Sequence, residues 1–278
     1  MKSDIKNQII NLINLAINED KINHDITSKL SIPKNLTCKM FVKSKNEGIL
    51  FGIQIVKLIL KKIDKKIKVK LLKSDGNKVN KGNKVLSLEG KAQSILKSER
   101  TILNFLGHLS GIATETNKLV KKTKTYNTKI CCTRKTMPGL RYLQKQAVKI
   151  GGGHNNRYNL TEEIFVKDNH HMDKLNFRDK IKLIKKRDRT NKKINVEVDN
   201  IKQLKQIIDL KIDRILLDNF SPSKLKIALQ IIPSKIETEA SGNITPKNIT
   251  KYAQTGVKRI SLGYLTHSVK NFNFSLEF

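Results

Sequence analysis

The chain has 278 residues, enough for one large domain or two modest ones around a real core. Hydrophobic residues make up 38%, and the longest apolar stretch, Gly48 to Leu60, is interrupted by Gln54 and Lys57 and is too short to span a bilayer. A net charge of +32 invites a nucleic-acid reading, but the lysines are diffuse, and abundant lysine, isoleucine and asparagine together point to A/T-rich codons as the source of the charge.

Residues 1–20 lack an apolar core followed by a small-residue cleavage site, so no signal peptide is expected. Ile5, Ile9, Leu12, Ile13, Ala16 and Ile17 recur at helical spacing and predict a helix over 4–18. β-rich runs follow at Thr37–Lys43, Lys68–Leu72 and Lys84–Leu88, punctuated by Gly48, Asp75-Gly76 and Lys81-Gly82. They predict a small sheet packed with a helix over Gly52–Ile63. Ser94 to Lys121 reads as one or two long helices, with Gly107 and Gly111 as points of close packing.

From residue 129 strands and helices alternate. Strand-like runs fall at Lys129–Thr133, Ile164–Val166, Ile194–Val198, Arg214–Leu217, Lys235–Glu239 and Arg259–Leu262. Helices are expected over 139–150, 174–188, 200–209, 221–232 and 246–254, with Pro138, Pro222 and Pro246 near their starts and Ser221 and Thr245 as N-caps. Alternation of this kind implies a parallel sheet with right-handed crossovers, either an open doubly wound sheet or a barrel. Cys131 and Cys132 sit inside a strand and read as core. With Cys38 they form neither a disulfide framework nor a zinc spacing, which favours a reducing, cytoplasmic setting.

The strand ends carry the chemistry. They read Thr133-Arg134-Lys135, Lys167-Asp168-Asn169, Glu197 within Val196-Glu-Val198, Asp218-Asn219, Glu239-Ala-Ser241-Gly242 and Leu262-Gly263-Tyr264. Charge is costly in a core strand unless paired or functional, and in a barrel all C-terminal strand ends share one mouth. Arg134, Lys135, Arg157 and Lys167 form a cationic half suited to carboxylates and phosphates. Glu197 and Asp218 form an anionic half that calls for Mg²⁺ when it faces phosphates. Gly151-Gly-Gly153 matches no nucleotide fingerprint and reads as a turn, whereas Ser241-Gly242-Asn243 before a helix offers backbone N–H groups to an anion. Arg141 and Lys149 read as ordinary helix charges, and His170 with His171 as structural, because neighbours on a strand point to opposite faces.

These segments resemble, in order, the quinolinate phosphoribosyltransferase family. Ser98-Glu-Arg-Thr101, Thr133-Arg-Lys-Thr136 with Pro138-Gly-Leu-Arg141, Gly151–Gly153 to Arg157, Lys167-Asp-Asn-His170, Leu217-Asp-Asn219, Glu239-Ala-Ser-Gly242 and Ser261-Leu-Gly263 carry the likeness over nearly the whole chain. The resemblance implies an α/β protein with an N-terminal α/β sandwich over 1–112 and an incomplete β/α barrel over 113–267. The tail, 268–278, is a candidate to return to the sandwich. It also implies a homodimer, or a higher assembly of dimers, whose sites involve both subunits, with Mg²⁺ as cofactor and neither nucleic acid nor membrane as partner.

By motif, Arg100 would reach the partner's site, and Arg134, Arg157 and Lys167 would hold the quinolinate carboxylates. Thr133 and Asn156 would also touch substrate, and Lys135 and Lys167 would border phosphoribosyl pyrophosphate. Glu197 and Asp218 would face the ribose and the Mg²⁺–pyrophosphate group, directly or through water or substrate. Lys135, Lys167, Glu197 and Asp218 form the catalytic set. Ser241, Gly242, Asn243 and the Leu262-Gly263-Tyr264 turn would bind the 5′-phosphate. Two residues depart from the pattern: Asn156 stands where the family usually has histidine, and Asn243 where many relatives have glycine. The competing readings are a related enzyme with another acid substrate, a basic nucleic-acid-binding protein argued from charge alone, and an inactive member, for which Asn156 is the only hint.

Overall fold

Alternating apolar residues build an antiparallel sheet early in the chain, and continuous apolar runs build a parallel one later. The computed structural model describes residues 3–170 and 175–278. The chain forms two compact units. One holds residues up to 117, 136–152 and 265 onward; the other holds 118–135 and 153–264. In chain order, α1 (Ser3–Glu19) and α2 (Ile26–Ser31) precede β1 (Thr37–Ser44), β2 (Gly48–Ile49), α3 (Ile53–Ile63), β3 (Lys68–Leu71), β4 (Lys78–Val79) and β5 (Lys84–Lys91). Then come α4 (Ala92–Leu96), α5 (Glu99–Lys122), β6 (Lys129–Cys132), α6 (Arg141–Ile150), β7 (His154–Asn155), β8 (Ile164–Val166) and α7 (Phe177–Arg187). The chain continues through β9 (Ile194–Val198), α8 (Ile201–Ile207), β10 (Arg214–Asp218), α9 (Pro222–Ile231) and β11 (Glu237–Ser241). It ends with α10 (Ile249–Ala253), β12 (Arg259–Leu262), α11 (Tyr264–His267) and β13 (Phe274–Glu277).

In the first unit an antiparallel sheet runs in the order β13-β1-β5-β3. Met40 and Val42 of β1 pair with Leu88 and Leu86 of β5, and all four are buried on one face. The C-terminal strand completes this sheet, with Val42 opposite Leu276. Gly107 and Gly111 allow the chain at 270–272 to lie against α5: carbonyl oxygens of Phe272 and Lys270 occupy the space a Cβ would need. Gly151 plays the same part at the end of α6, against the Ala113 carbonyl and Thr116. The triple glycine is thus partly a packing device. The ladder of β2 with β4 has no counterpart among the predicted elements.

In the second unit the parallel sheet runs β7-β6-β12-β11-β10-β9-β8 and curls into an incomplete barrel. A side chain bridges its two unpaired edges: Arg157, just after β7, donates to the Glu163 carbonyl just before β8 at 3.1 Å. All six predicted strands are present, joined by β7. The fifth strand starts at Glu237 rather than Lys235. Ser221 caps α9 as expected, accepting from the Lys224 N–H, with Pro222 in the first turn. Thr245 does not cap a helix. Its N–H bonds to the Asn248 side chain in a turn, and α10 starts only at Ile249. His170 lies in a one-turn 3₁₀ segment, Asp168–His170, and not on a strand; His171 and the start of the helix predicted from 174 lie outside the described residues.

Candidate active site

Because the parallel strands are in register, paired residues share a face. One face carries Val196, Val198, Ile215, Leu217, Ile260 and Ile130, all buried. The other, concave face carries Asn195, Glu197, Arg214, Asp218, Glu237, Glu239, Arg259 and Ser261. A barrel interior is ordinarily filled by branched apolar side chains. Here it is mainly polar, with Leu216, Phe165 and Cys131 interspersed, and its depth divides into two parts.

Toward the N-terminal strand ends lies a buried ion network. Arg214 donates to Glu239 at 2.9 Å, to Glu163 at 2.8 Å and to the Asn195 amide oxygen at 3.2 Å. Arg259 approaches Glu239 at 3.4 Å and Glu237 at 3.5 Å, and Lys129 reaches Glu237 at 3.6 Å. The Ser261 hydroxyl donates to Glu239. Burying ions is costly, and only mutual pairing with full hydrogen bonding offsets the desolvation. Cys131 faces the same interior, where burial pushes its thiol up to about 12, so it packs as a neutral group.

At the C-terminal strand ends lies the rim. Lys167 pairs with Glu197 at 2.5 Å. The Arg157 guanidinium and the Lys167 ammonium stand 5.1 and 5.5 Å from the centre of one ring, Phe165. Burial lowers the affinity of Arg157 for its proton, and the positive charge of Arg134 lowers it further. Two guanidiniums near enough to feel each other's charge at a half-buried edge are chemically suited to an anion. Glu197 titrates above the usual carboxylate range, chiefly through burial; Lys167 opposes that rise, and the charges of Asp218 and Asp168 add to it.

Beside this cluster, Asp218 and Ser241 are register partners at the ends of β10 and β11. The Asn219 N–H donates to the Ser241 carbonyl at 2.9 Å, and the Asn243 amide donates to Asn219 at 3.0 Å. Asn219 (φ +56°), Gly242 (φ +83°) and Asn243 (φ +53°) are all left-handed. A Cβ at 242 would overlap Asn219, so glycine is needed there, while asparagine tolerates the left-handed backbone at 243. With α10 displaced to Ile249, the Ser241–Asn243 loop stands apart from a helix N-terminus, and left-handed turns are what shape it.

All the predicted site residues except Arg100 therefore gather at the ends of these strands. Thr133 accepts from the Lys135 N–H at 3.0 Å beyond β6, and Leu262, Gly263 and Tyr264 close β12. Arg100 lies exposed near the start of α5, in the other unit. Asn156 follows β7, but its amide turns into the interior network, donating to Glu239 at 2.7 Å and Ser261 at 2.9 Å. Phe165, under the cationic cluster, and Arg214 and Arg259, in the network below it, carry no local signal of these places. A phenylalanine in a strand looks like core, and an arginine at a strand start looks like a surface charge. Among the described residues no three His, Cys, Asp or Glu side chains cluster as a metal site.

Fold and rim together define a β/α-barrel enzyme class whose rim chemistry suits polyanionic ligands. Family models confirm and refine that class: the N-terminal domain of quinolinate phosphoribosyl transferase matches residues 25–110, and its C-terminal domain matches 112–277. A Methanocaldococcus jannaschii protein described as a probable carboxylating nicotinate-nucleotide pyrophosphorylase is 40% identical, with 98% of each chain covered. A Bacillus subtilis protein of the same description is 38% identical, covering 97% of this chain and 93% of that one. The solved nicotinate-nucleotide pyrophosphorylase of Francisella tularensis superposes with a TM-score of 0.92 at 39% identity, covering 98% of this chain and 96% of that one. The chain belongs to the quinolinate phosphoribosyltransferase family.

Proposed function

We propose that the chain transfers the phosphoribosyl group of phosphoribosyl pyrophosphate to quinolinate, releasing pyrophosphate and CO₂ and forming nicotinate mononucleotide for NAD biosynthesis. One observation carries this reading. In a chain of this family, two guanidiniums and a lysine stand beside two carboxylates at one strand-end rim. The cationic half fits the vicinal carboxylates of a pyridine diacid, and arginine suits their planar, bidentate geometry.

The pyridine nitrogen is already a nucleophile, so no base is needed to activate it. Attack at ribose C1 builds positive charge on the sugar, which Glu197 and Asp218 would stabilise. Lys167 holds Glu197 ionised and in place. Once the nitrogen is quaternised, the carboxylate beside it leaves as CO₂, the electron pair left on the ring carbon is stabilised by the adjacent cationic nitrogen, and that carbon takes up a proton from water to give nicotinate mononucleotide. Arg134 and Arg157 fix the ring so that N1 points at C1. Ser241, Gly242, Asn243 and the Leu262–Tyr264 turn would take the 5′-phosphate, and Lys135 the pyrophosphate. Glu197 and Asp218 suit Mg²⁺, which commonly binds one or two carboxylates together with substrate oxygens and water. When bound it would neutralise the departing pyrophosphate.

The assembly belongs to the same proposal: a homodimer in which Arg100 of each subunit serves the partner's site. No helix among the described residues is long and apolar enough to cross a membrane. The free thiols Cys38, Cys131 and Cys132 support a cytoplasmic setting. The test is direct. Purified protein, quinolinate, phosphoribosyl pyrophosphate and Mg²⁺ should yield nicotinate mononucleotide and an equal amount of CO₂. Turnover of nicotinate instead, with no CO₂, would replace this substrate assignment.

A further inference from the structure

Asn156 accepts through one oxygen from two guanidiniums, Arg214 at 3.0 Å and Arg259 at 2.7 Å. Through one nitrogen it donates to Glu239 at 2.7 Å and Ser261 at 2.9 Å. The next residue, Arg157, turns to the rim, onto the Glu163 carbonyl and over Phe165. One peptide step thus joins the buried network to the rim. We infer that Asn156 is a positioning residue: it ties the Arg157 segment to the interior network and acts on the acid substrate through Arg157 rather than by touching it.

The chemistry of the site also explains why an amide stands here. A carboxamide presents one acceptor atom and one donor atom side by side, matching a pair of guanidiniums on one flank and Glu239 with Ser261 on the other. An imidazole cannot offer one atom as acceptor to both arginines while a neighbouring atom donates twice. Protonated, it would offer no acceptor at all and would add positive charge beside Arg214 and Arg259. With these arginines present, the departure from histidine is a match to the interior and not a sign of decay.

This inference rests on the proposed quinolinate reaction, and a double-mutant cycle on quinolinate affinity and turnover tests it. Asn156→Ala should raise the quinolinate KM about tenfold, equivalent to about 1.4 kcal/mol, with kcat within about twofold. In an Arg157→Ala background the same change should add almost nothing, because the residue it acts through is gone. Equal losses in both backgrounds would mean direct substrate contact and would overturn the inference. So would a lowered melting temperature with unchanged KM, which marks a purely structural role. Should Asn156→Ala fail to fold, Ser261→Ala removes one partner of the amide and one donor to Glu239, whose charge stays paired with Arg214 and hydrogen-bonded by Asn156. It should raise KM a few-fold, again only when Arg157 is present. Asn156→His should weaken quinolinate binding; tighter binding would overturn the inference. Calorimetric binding of quinolinate to the unaltered chain is the control. If the unaltered chain binds none, the reaction assignment fails first and the inference with it. If it binds while the cycle is additive, the inference alone fails.

Discussion

The ion pairs of the two units differ in setting, and so in what they do. Around the antiparallel sheet, Lys68–Glu89 and Lys78–Glu47 join side chains that keep half or more of their surface in water, at 79% and 51% and at 60% and 64% exposure. In the barrel interior, Arg214 and Glu239 meet at 7% and 1% exposure. The first kind decorates a surface and is screened by salt. The second organises a site, because each buried ion fixes its neighbours' positions. Residue choice follows the same division. Lysine dominates the chain, which has only nine arginines, yet four of them, Arg134, Arg157, Arg214 and Arg259, belong to the barrel interior and its rim. Arginine stands where a planar fork must meet several acceptors at once.

The largest effect expected from that contrast is on folding. Glu239→Ala would leave Arg214 and Arg259 buried without their shared carboxylate. It should cost about 3–5 kcal/mol in chemical denaturation. Glu89→Gln, which breaks an exposed pair, should stay within about 0.5 kcal/mol. Comparable losses would erase the distinction. Next comes binding. Arg134→Ala or Arg157→Ala should each weaken quinolinate about ten- to a hundredfold by calorimetry, from the loss of about 1.5–3 kcal/mol of charge-assisted hydrogen bonding. Unchanged affinity in both variants would remove quinolinate from this rim.

The rim was largely legible in the sequence and its foundation was not, for a physical reason. Apolar strands stop abruptly at Arg134, Lys167 and Asp218, and parallel strands must end on one side, so position along each strand suffices to gather these residues. Arg214, Arg259 and Glu163 gain meaning only from register and curl, which bring Glu163 beside Arg214 and Asn156 beside Arg259. No local pattern encodes that. The same holds for the two-residue strands β2, β4 and β7, too short to show a period. It holds also for Asp75, which caps α3 from outside the helix by accepting from the Gly52 and Ile53 N–H groups at 2.8 and 2.9 Å. Asn156 shows the limit of motif transfer: its position in the chain matches the family, while its side chain answers to this chain's own arginines.

A smaller effect separates the interior's electrostatics from its packing. Burial holds Glu197 above the usual carboxylate range, so the acid limb of activity should lie above the ordinary glutamate value of 4.5. Lys167 pulls Glu197 down, so Lys167→Met should move the residual activity's limb to higher pH. Asp168 pushes it up, so Asp168→Asn should move the limb to lower pH. The folded protein here holds its proton more tightly than the unfolded chain. This group therefore favours folding progressively more as pH falls toward 4.5, and that contribution is lost as pH rises through the elevated value. Limbs that move the same way in both variants would mean that another group titrates.

The smallest effect belongs to the first sheet and runs with the opposite sign. Glu277 on β13 accepts from Lys43 at 2.7 Å, Lys45 at 2.5 Å and Ser275 at 2.7 Å, and these contacts lower its pKa from 4.5 to about 2. Its contribution to folding is therefore complete above pH 4.5 and is lost as pH falls toward 2. Glu277→Gln should flatten that stretch of the melting-temperature profile. At neutral pH it should lower the melting temperature only slightly, because Lys45 is exposed and Lys43 partly so, and both can be hydrated when the carboxylate is removed. Added salt should shrink the difference between the two proteins, since exposed charges are screened. The same salt should leave the Glu239→Ala deficit almost intact, because Arg214 and Glu239 are almost wholly buried and buried pairs are screened much less. A Glu277→Gln deficit that resists salt as firmly as that of Glu239→Ala would show that the pairs at the β1–β13 edge are as shielded as Arg214 and Glu239, and the contrast between the two units would lose its physical basis.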